Sequence, residues 1–448
     1  MTSGTNSRRR FLVGLAAVGG VSVAGCTGLP WRDAGPTFTA ADAAAVIDDG
    51  APPVEWPVPV RPAASAVDEG LERIDALLAD VPDPIEAEMV PNGVIRKEIE
   101  RRRDEARDHR EEAAGATGDG RYGALRTTRE GRDAARAATT TLAAIEDETL
   151  VEDLRAERNA IRGRVDERRD SIAYRGGDAD DERLRAALYY SRLESDLRHA
   201  AHRLHRPRWA LNSTSTVVEI GEGAGALESA TATTAAWDHL ADRYAERTDD
   251  ATDLTPAFDA ALELSIDRTD AADIPDQTDE DWHEEVVDEE FDDLAVEQLL
   301  WRVLDPVSES SRALEEAVAD GARGTGLYES LRFELTYRAF ERVRDRIADG
   351  ALPPVESVDE IRAERAAALD AAASTDESLS EPSIGAYVFA ETLQSIEWVD
   401  DAVRRAAAND STTAVSLTTE FAKYAHLRGQ LEVLPDAVAA FRERLLAA

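Results

Sequence analysis

Apolar side chains recur at steps of three and four residues along almost the whole chain after Ser65, and this period constrains the fold most. One segment carries it at Ala186, Tyr190, Leu193, Leu197, Ala200 and Leu204, and another at Leu417, Phe421, Tyr424, Leu427, Leu431 and Leu434. The alternation typical of strands is nearly absent. The sequence therefore predicts an all-α fold, built as an antiparallel helical bundle.

Charge divides this helical chain into two parts. Residues 91–210 hold 26 basic and 25 acidic side chains, whereas residues 211–448 hold 19 and 53. In the balanced part the apolar stripes are thin, and Arg and Glu are interspersed as on helices that carry many ion pairs. We therefore expect a charge-balanced helical arm over 65–210, formed as a long charged hairpin or coiled-coil-like pair. An acidic helical bundle over 211–448 should follow, with the main core within 282–448, where aromatic residues concentrate.

The arm carries a polar face on the side of its last helix opposite the apolar stripe. His199, His202, Arg203 and Arg206 belong to this face. Helices with a narrow apolar seam gain stability by pairing with other helices, so residues 94–206 are predicted to meet a protein partner or a second copy. The alternative is that the arm folds back along 282–448 and completes one bundle.

The first residues have the order of an export signal. Three arginines, Arg8 to Arg10, precede Phe11 and Leu12, and a short apolar run rich in Gly and Ala ends at Val23-Ala24-Gly25-Cys26. This segment resembles the twin-arginine signal of exported lipoproteins, with Arg8 and Arg9 as the arginine pair, Phe11 and Leu12 as the apolar pair, and a lipobox ending at Cys26. The resemblance implies passage through the twin-arginine export machinery, cleavage before Cys26, and a lipid on Cys26 that holds the protein to the outer face of the cytoplasmic membrane.

Between this signal and the helices lies a proline-rich stretch. Residues 27–64 hold seven prolines, which favour extended polyproline geometry, so this stretch is predicted to be a semi-rigid tether. Cys26 is the single cysteine of the chain, and its lipidation would leave none for a disulfide.

The overall charge points to a salt-rich habitat. The chain has 91 acidic and 51 basic residues, a formal net charge of −40, and just two lysines, Lys97 and Lys423. High salt screens the repulsion between so many carboxylates. This composition resembles that of proteins from halophilic archaea. It also argues against a nucleic-acid partner, because phosphate backbones require clustered basic residues.

Two local patterns invite a chemical interpretation. Asp196, His199 and His202 follow one another at helical steps of three residues, a spacing that can direct ligands to one metal ion, although the neighbouring arginines oppose a cation. The run Val217 to Gly225, with glycines at 221, 223 and 225, looks like the strand and glycine-rich loop of nucleotide-fold methyltransferases. The strands of that fold do not follow it, so we interpret the glycines as a loop or kink in a helical region.

No catalytic motif and no cofactor are predicted. The sequence favours a lipid-anchored binding or scaffolding component over an enzyme. A metal- or solute-handling lipoprotein is the alternative, and a hydrolase with dispersed carboxylates is a third possibility. Asn212 and Asn409 begin acceptor patterns for N-linked glycans in an exported chain.

Overall fold

The computed structural model describes residues 36–147, 149–205, 211, 214–248, 250–275, 282–287, 294–352, 355–376, 379 and 382–447. The fold is all-α, as the periodicity predicts. Its helices are α1 (Ala40–Ala43), α2 (Ala64–Leu78), α3 (Gly93–Ala114), α4 (Gly120–Ala143), α5 (Leu150–Asp170), α6 (Asp180–His205), α7 (Val217–Arg247), α8 (Thr255–Asp270), α9 (Trp282–Val287), α10 (Leu294–Ala319), α11 (Arg323–Ala348), α12 (Val358–Asp376), α13 (Ile384–Ala407) and α14 (Thr418–Ala447). In the described part of the chain, no helix has the length and apolarity that a membrane span needs.

Two short pairs of strands join distant parts of the chain. Strand β1 (Thr37–Thr39) pairs antiparallel with β4 (Ala414–Ser416), and β2 (Arg175–Gly176) pairs antiparallel with β3 (Thr252–Asp253). The first pair fixes the beginning of the described chain beside the loop that precedes α14.

Helix α4 packs along α7, and glycines on α7 make this approach possible. A Cβ atom on Gly221 would lie 2.6 Å from the carbonyl oxygen of Ala137, and one on Gly225 would lie 2.7 Å from the carbonyl oxygen of Asp133. Both distances are shorter than van der Waals contact, so a larger residue would force the two helices apart. The glycine run is therefore neither the loop nor the kink that we expected. It lies inside one continuous helix, which begins with a capping box between Thr216 and Glu219.

The largest hydrophobic cluster of the described residues spans both halves of the chain. It joins residues of α6, α7 and α8 to residues of α11, α12, α13 and α14. The rings of Tyr189 and Tyr244 stack with their centroids 4.2 Å apart, and Phe258 lies edge-on to Tyr190. The expectation that the main core lies within 282–448 is wrong in this respect, and Trp398, an aromatic residue of that region, is 64% exposed.

A buried carboxylate connects the two halves of the chain. Glu194 on α6 accepts hydrogen bonds from the backbone nitrogens of Gly324 and Thr325, at 3.0 and 2.7 Å, and from the hydroxyl of Tyr174 at 2.6 Å. These nitrogens belong to the first turn of α11, where backbone donors have no partner within the helix. Glu194 therefore caps α11 from the side of a neighbouring helix.

The tether predicted for residues 27–64 is corrected for the part that the structure describes. Ala40, Ala43 and Val46 are fully buried, and the backbone nitrogen of Ala63 donates a hydrogen bond to Nε2 of His239 at 3.0 Å. The prolines hold this stretch extended, but the apolar residues between them give it a surface to pack on. Residues 36–64 thus lie along the body.

The polar face of α6 that we expected to be available to a partner forms some of its contacts within the protein. His199, His202 and His205 are exposed, as the helical period implies. Arg203, however, donates hydrogen bonds to Asp133 on α4 at 2.5 Å and to Ser229 on α7 at 3.1 Å. This side of α6 therefore faces α4 and α7 at Arg203, whereas Arg206 lies outside the described residues.

Candidate functional site: an arginine-lined cleft

A cleft of about 1260 Å³ opens between helices α4, α6 and α7. Residues 54–61 also line it, together with Pro382, which precedes α13, and Tyr387 on α13. The cleft thus collects side chains from parts of the chain that are far apart in sequence.

The lining of the cleft reverses the charge balance of the protein. Seven arginines and four carboxylates line it, although acidic residues outnumber basic ones 91 to 51 in the whole chain. The arginines are Arg61, Arg126, Arg129, Arg185, Arg192, Arg243 and Arg247, and the carboxylates are Glu55, Asp119, Glu130 and Asp196.

Four of these arginines have a carboxylate at contact distance. Arg126 donates to Glu130 at 3.0 Å, Arg247 donates to Glu182 at 2.7 Å, Arg61 holds Asp119, and Arg243 holds Glu246. Such exposed pairs stabilise a protein little, and in each of them the carboxylate offsets the charge of its arginine. The remaining three arginines differ from them.

Arg129 and Arg192 share one carboxylate, and neither reaches it closely. Their nearest nitrogens lie 3.7 and 3.8 Å from Oδ1 of Asp196, and the other oxygen of Asp196 accepts a hydrogen bond from Nε1 of Trp237 at 3.0 Å. Two guanidinium groups therefore face one carboxylate that is already engaged. The side chains of Arg129 and Arg192 are 19% and 22% exposed, so water screens their charge less than at an open surface.

Arg185 is a third guanidinium group without a carboxylate at contact distance. Its Nη1 atom donates to the carbonyl of Pro59 at 3.3 Å, its Nε atom is buried without a hydrogen bond, and Glu182 lies 3.6 Å away. Glu182 also receives Arg247 at the shorter distance of 2.7 Å. Burial, followed by the neighbouring charge of Arg247, lowers the pKa of Arg185.

Buried arginines elsewhere in the protein show how a paired site looks. Arg365 forms two hydrogen bonds to Asp400, at 2.8 and 2.7 Å, and Arg346 forms two to Glu364, both at 2.9 Å. These bidentate pairs neutralise their charges. In the cleft, by contrast, Arg129, Arg185 and Arg192 lie 3.6–3.8 Å from their carboxylates, so they can still form close hydrogen bonds with an anionic group.

Aromatic rings form the wall beside Arg192. The guanidinium carbon of Arg192 lies 4.4 Å from the centre of the Tyr387 ring, and the rings of Trp56 and Tyr387 have their centroids 5.1 Å apart. Stacking on a ring keeps the plane of a guanidinium group fixed while its edge stays available to a carboxylate or phosphate. Trp56 is 38% exposed, so the aromatic wall reaches the mouth of the cleft.

The structure separates the residues predicted to bind a metal. Asp196 and His199 line the cleft, but His202 does not, and no group of three or more His, Cys, Asp or Glu side chains in the described part of the chain is arranged to hold a metal ion. Although His199 is exposed overall, desolvation by its neighbours, followed by the charges of Arg203 and Arg129, lowers its pKa. Asp196 is occupied by Trp237 and the arginines, so these residues serve an anion better than a cation.

Sequence reasoning missed the arginines, although a signal was present. Arg185, Arg192 and His199 recur at intervals of seven residues, which places them on one face of α6. The sequence could not show that α4 brings Arg129 to this face, where it shares the carboxylate of Asp196 with Arg192.

Other predicted site residues have varied outcomes. The signal residues Arg8, Arg9, Phe11 and Leu12, the lipidation residue Cys26, and Asn212 lie outside the described residues. Asn409 is exposed just after α13, and its side-chain nitrogen donates to the carbonyl of Ala406 at 2.9 Å.

Two carboxylates have the raised pKa that acid catalysis would need, but neither lines the cleft. Burial raises the pKa of Glu329 and of Glu391, and Glu391 accepts a hydrogen bond from the Tyr328 hydroxyl at 2.6 Å. Both lie among residues of α11 and α13. Glu391 also interacts with Arg192 and Tyr387, which line the cleft.

Comparison with known proteins gives two family matches. Residues 65–250 are similar to a family described as Domain of unknown function (DUF8262), and residues 255–443 to one described as Domain of unknown function (DUF8264). No curated protein and no solved structure matches the chain. The matched ranges meet between residues 250 and 255, whereas the sequence pattern placed a division at 210/211. The cleft draws most of its lining from the first range, and Pro382 and Tyr387 from the second.

Proposed function

We propose that this protein is an extracytoplasmic lipoprotein, anchored through Cys26 to the outer face of the cytoplasmic membrane, and that it acts as a binding component for an anionic solute. The observation that carries the proposal is the set of three partly buried arginines, Arg129, Arg185 and Arg192, whose nearest carboxylates in the described part of the chain lie 3.6–3.8 Å away. Of the functions predicted from the sequence, solute handling is the one that this cleft favours.

Physical chemistry supports an anion as the ligand. A guanidinium group presents a planar set of donors that matches carboxylate and phosphate, and hydrogen bonds to charged groups are the strong ones. A cleft with low-dielectric walls also concentrates the field of the charges that line it. Asp119 and Glu130 are held by Arg61 and Arg126, so they offset little of the charge of Arg129, Arg185 and Arg192, and the single carboxylate of Asp196 is shared by Arg129 and Arg192.

Calorimetric titration tests anion binding. The purified chain is titrated with succinate and with inorganic phosphate at constant ionic strength, with chloride as the background anion. We expect saturable binding that weakens about tenfold or more in Arg192→Gln, since a hydrogen bond to a charged group contributes about 1.5–3 kcal/mol.

Arg101→Gln is the matched control. This substitution also removes one positive charge, but the native Arg101 side chain on α3 is 52% exposed and pairs with Glu98 and Glu105 on its own helix. Equal weakening in both variants would mean that net charge, and not the cleft, determines binding. Absence of binding by the unaltered chain would refute the proposed function.

The anchor is tested separately from the cleft. Cys26→Ser should release the protein from the membrane or leave its precursor uncleaved, because the lipid is attached to the cysteine sulfur. Membrane fractionation and intact-mass measurement distinguish these results. Unchanged processing and membrane association in the variant would contradict the lipoprotein proposal.

A partner that meets residues 94–206 remains a second proposal, and so does the finer architecture of a bundle with a charged arm. On α3, Arg101 and Arg102 pair with Glu98 and Glu105 along one helix face, as expected for a surface of alternating charge. Replacing His202, Arg203 and Arg206 with Glu should weaken self-association or partner recovery. Arg203 contacts Asp133, so the helix content of the variant must be measured together with its self-association. Unfolding of the variant would contradict the proposal.

A further inference from the structure

The three arginines of the cleft that have no close carboxylate among the described residues occupy two positions along α6. Arg185 and Arg192 are seven residues apart, which is close to two helical turns, so their Cα atoms lie on one face at a separation of about 10 Å. Arg129 reaches across from α4 to the Arg192 position, where it shares Asp196. The cleft therefore carries one cationic position near each end and not a single patch.

Helix α7 runs antiparallel to α6 along the same cleft, which shows what lies between the two positions. Trp237 contacts Asp196 near one end, and Arg247 contacts Glu182 near the other. Leu240, between them on α7, lines the cleft, as do Val58 and Val60. Arg243, which is paired with Glu246, also lines the cleft on α7, so the middle of the cleft combines apolar side chains with one neutralised arginine.

Among the described residues, neither cationic position has a carboxylate within hydrogen-bonding distance of its arginines, although the charge of Glu391 also acts on Arg192. At one, Arg129 and Arg192 face Asp196 from 3.7 and 3.8 Å. At the other, Arg185 stands 3.6 Å from Glu182 and has a buried Nε atom without a hydrogen bond. Hydrogen bonds between charged groups are the strong ones, so a ligand that supplies an acidic oxygen to the guanidinium nitrogens at both positions gains at each.

We infer that the cleft takes an elongated organic dianion whose two carboxylate or phosphate groups lie about 10 Å apart on an apolar middle part. The inference rests on the proposed function, because it names the class of solute that the same cleft would bind. A cleft of about 1260 Å³ has room for such a ligand in extended form. Arg192 on the Tyr387 ring holds one acid group and Arg185 the other.

A series of linear dicarboxylates measures the spacing directly. The unaltered full-length chain is titrated with succinate, suberate, sebacate and hexadecanedioate at constant ionic strength, and with decanoate as the matched monoanion of the same carbon number as sebacate. We expect the tightest binding for the members of intermediate length, suberate or sebacate, and about tenfold or more weaker binding for decanoate, which loses one charge-assisted contact. A bisphosphonate of the same length determines which acid group is preferred.

Variants assign the two ends. Arg185→Gln and Arg192→Gln should each reduce the affinity for sebacate to that for decanoate and remove the dependence on chain length. Arg101→Gln is the control, because Arg101 lies on α3 outside the cleft, is 52% exposed and is paired with Glu98 and Glu105. Circular dichroism spectra test whether each variant is folded. The dicarboxylate series on the unaltered chain tests the inference even if a variant fails to fold.

The outcomes separate this inference from the proposed function. If decanoate binds as tightly as sebacate, or if succinate binds best, the two-position inference is wrong, while anion binding in the cleft stands. If none of these anions binds, both fail. A preference for intermediate length that survives Arg185→Gln would also overturn the inference, because the second acid group would then lie elsewhere.

Discussion

Replacing Gly225 with alanine should destabilise the protein, although alanine is the better helix former. The added Cβ atom would lie 2.7 Å from the carbonyl oxygen of Asp133 and 2.6 Å from its Oδ1 atom, well inside van der Waals contact. Asp133 cannot yield freely, because its other oxygen receives Arg203 at 2.5 Å. Overpacking of this kind costs about 1–3 kcal/mol, and the gain in helix propensity returns up to about 1 kcal/mol. We therefore expect a net loss of about 1–2 kcal/mol.

Gly163→Ala separates packing from propensity. Gly163 is also inside a helix, α5, but it is exposed, and a Cβ atom there would meet nothing within 4 Å. This variant should gain about 0.5–1 kcal/mol. Urea denaturation in a fixed high-salt buffer, followed by circular dichroism, gives both free energies of unfolding. If Gly225→Ala were as stable as Gly163→Ala, the close approach of α4 to α7 would be refuted.

Three further predictions test other parts of the molecule. Gly324→Ala should lower the free energy of unfolding by about 1–3 kcal/mol, because its Cβ atom would lie 2.5 Å from the backbone nitrogen of Ser191, and a urea midpoint equal to that of the unaltered chain would contradict this. His426 has an inaccessible Nε2 atom without a hydrogen bond, and burial lowers its pKa to about 4. Because the unfolded chain takes up this proton near pH 6.5 and the folded chain resists it, stability should fall by about 3 kcal/mol between pH 6.5 and 4, and His426→Met should lose that part of the pH dependence. Dialysis to low salt should reduce the helix content, since residues 211–448 hold 53 acidic and 19 basic side chains, and a melting temperature that is flat across a salt series would refute the argument.

The fold class could be predicted because helical period is a local property. Leu193, Leu197 and Leu204 are buried at the spacing that the sequence displays. The glycines of α7 were harder to interpret, because the same letters suit a phosphate-binding loop or a close helix contact. The difference is set by α4, eighty residues earlier in the chain, and no local pattern reports that contact.

The candidate site could be predicted even less. The seven-residue interval from Arg185 to Arg192 places both on one face of α6, but most arginines of this chain pair with a nearby carboxylate, and sequence does not tell which ones fail to. Asp196 drew notice as a metal ligand because Asp and His at helical spacing are typical of metal sites. Its neighbours in space, Arg129 and Trp237, come from other helices and change its role.

The surrounding charge gives the cleft an unusual relation to salt. At an ionic strength of about 0.1 M the Debye length is about 10 Å, so an approaching anion is repelled by much of the −40 surface before it reaches the cleft. At about 1 M the Debye length falls to about 3 Å, and that repulsion is removed. The attraction of Arg185 and Arg192 acts at contact distance and on side chains that are 16% and 22% exposed, so it is screened less. An anion should therefore associate faster as salt rises, which is the reverse of the behaviour of a cationic site on a neutral protein. The salt dependence that we predict for folding and the anion binding that we propose for the cleft would therefore be favoured by the same condition.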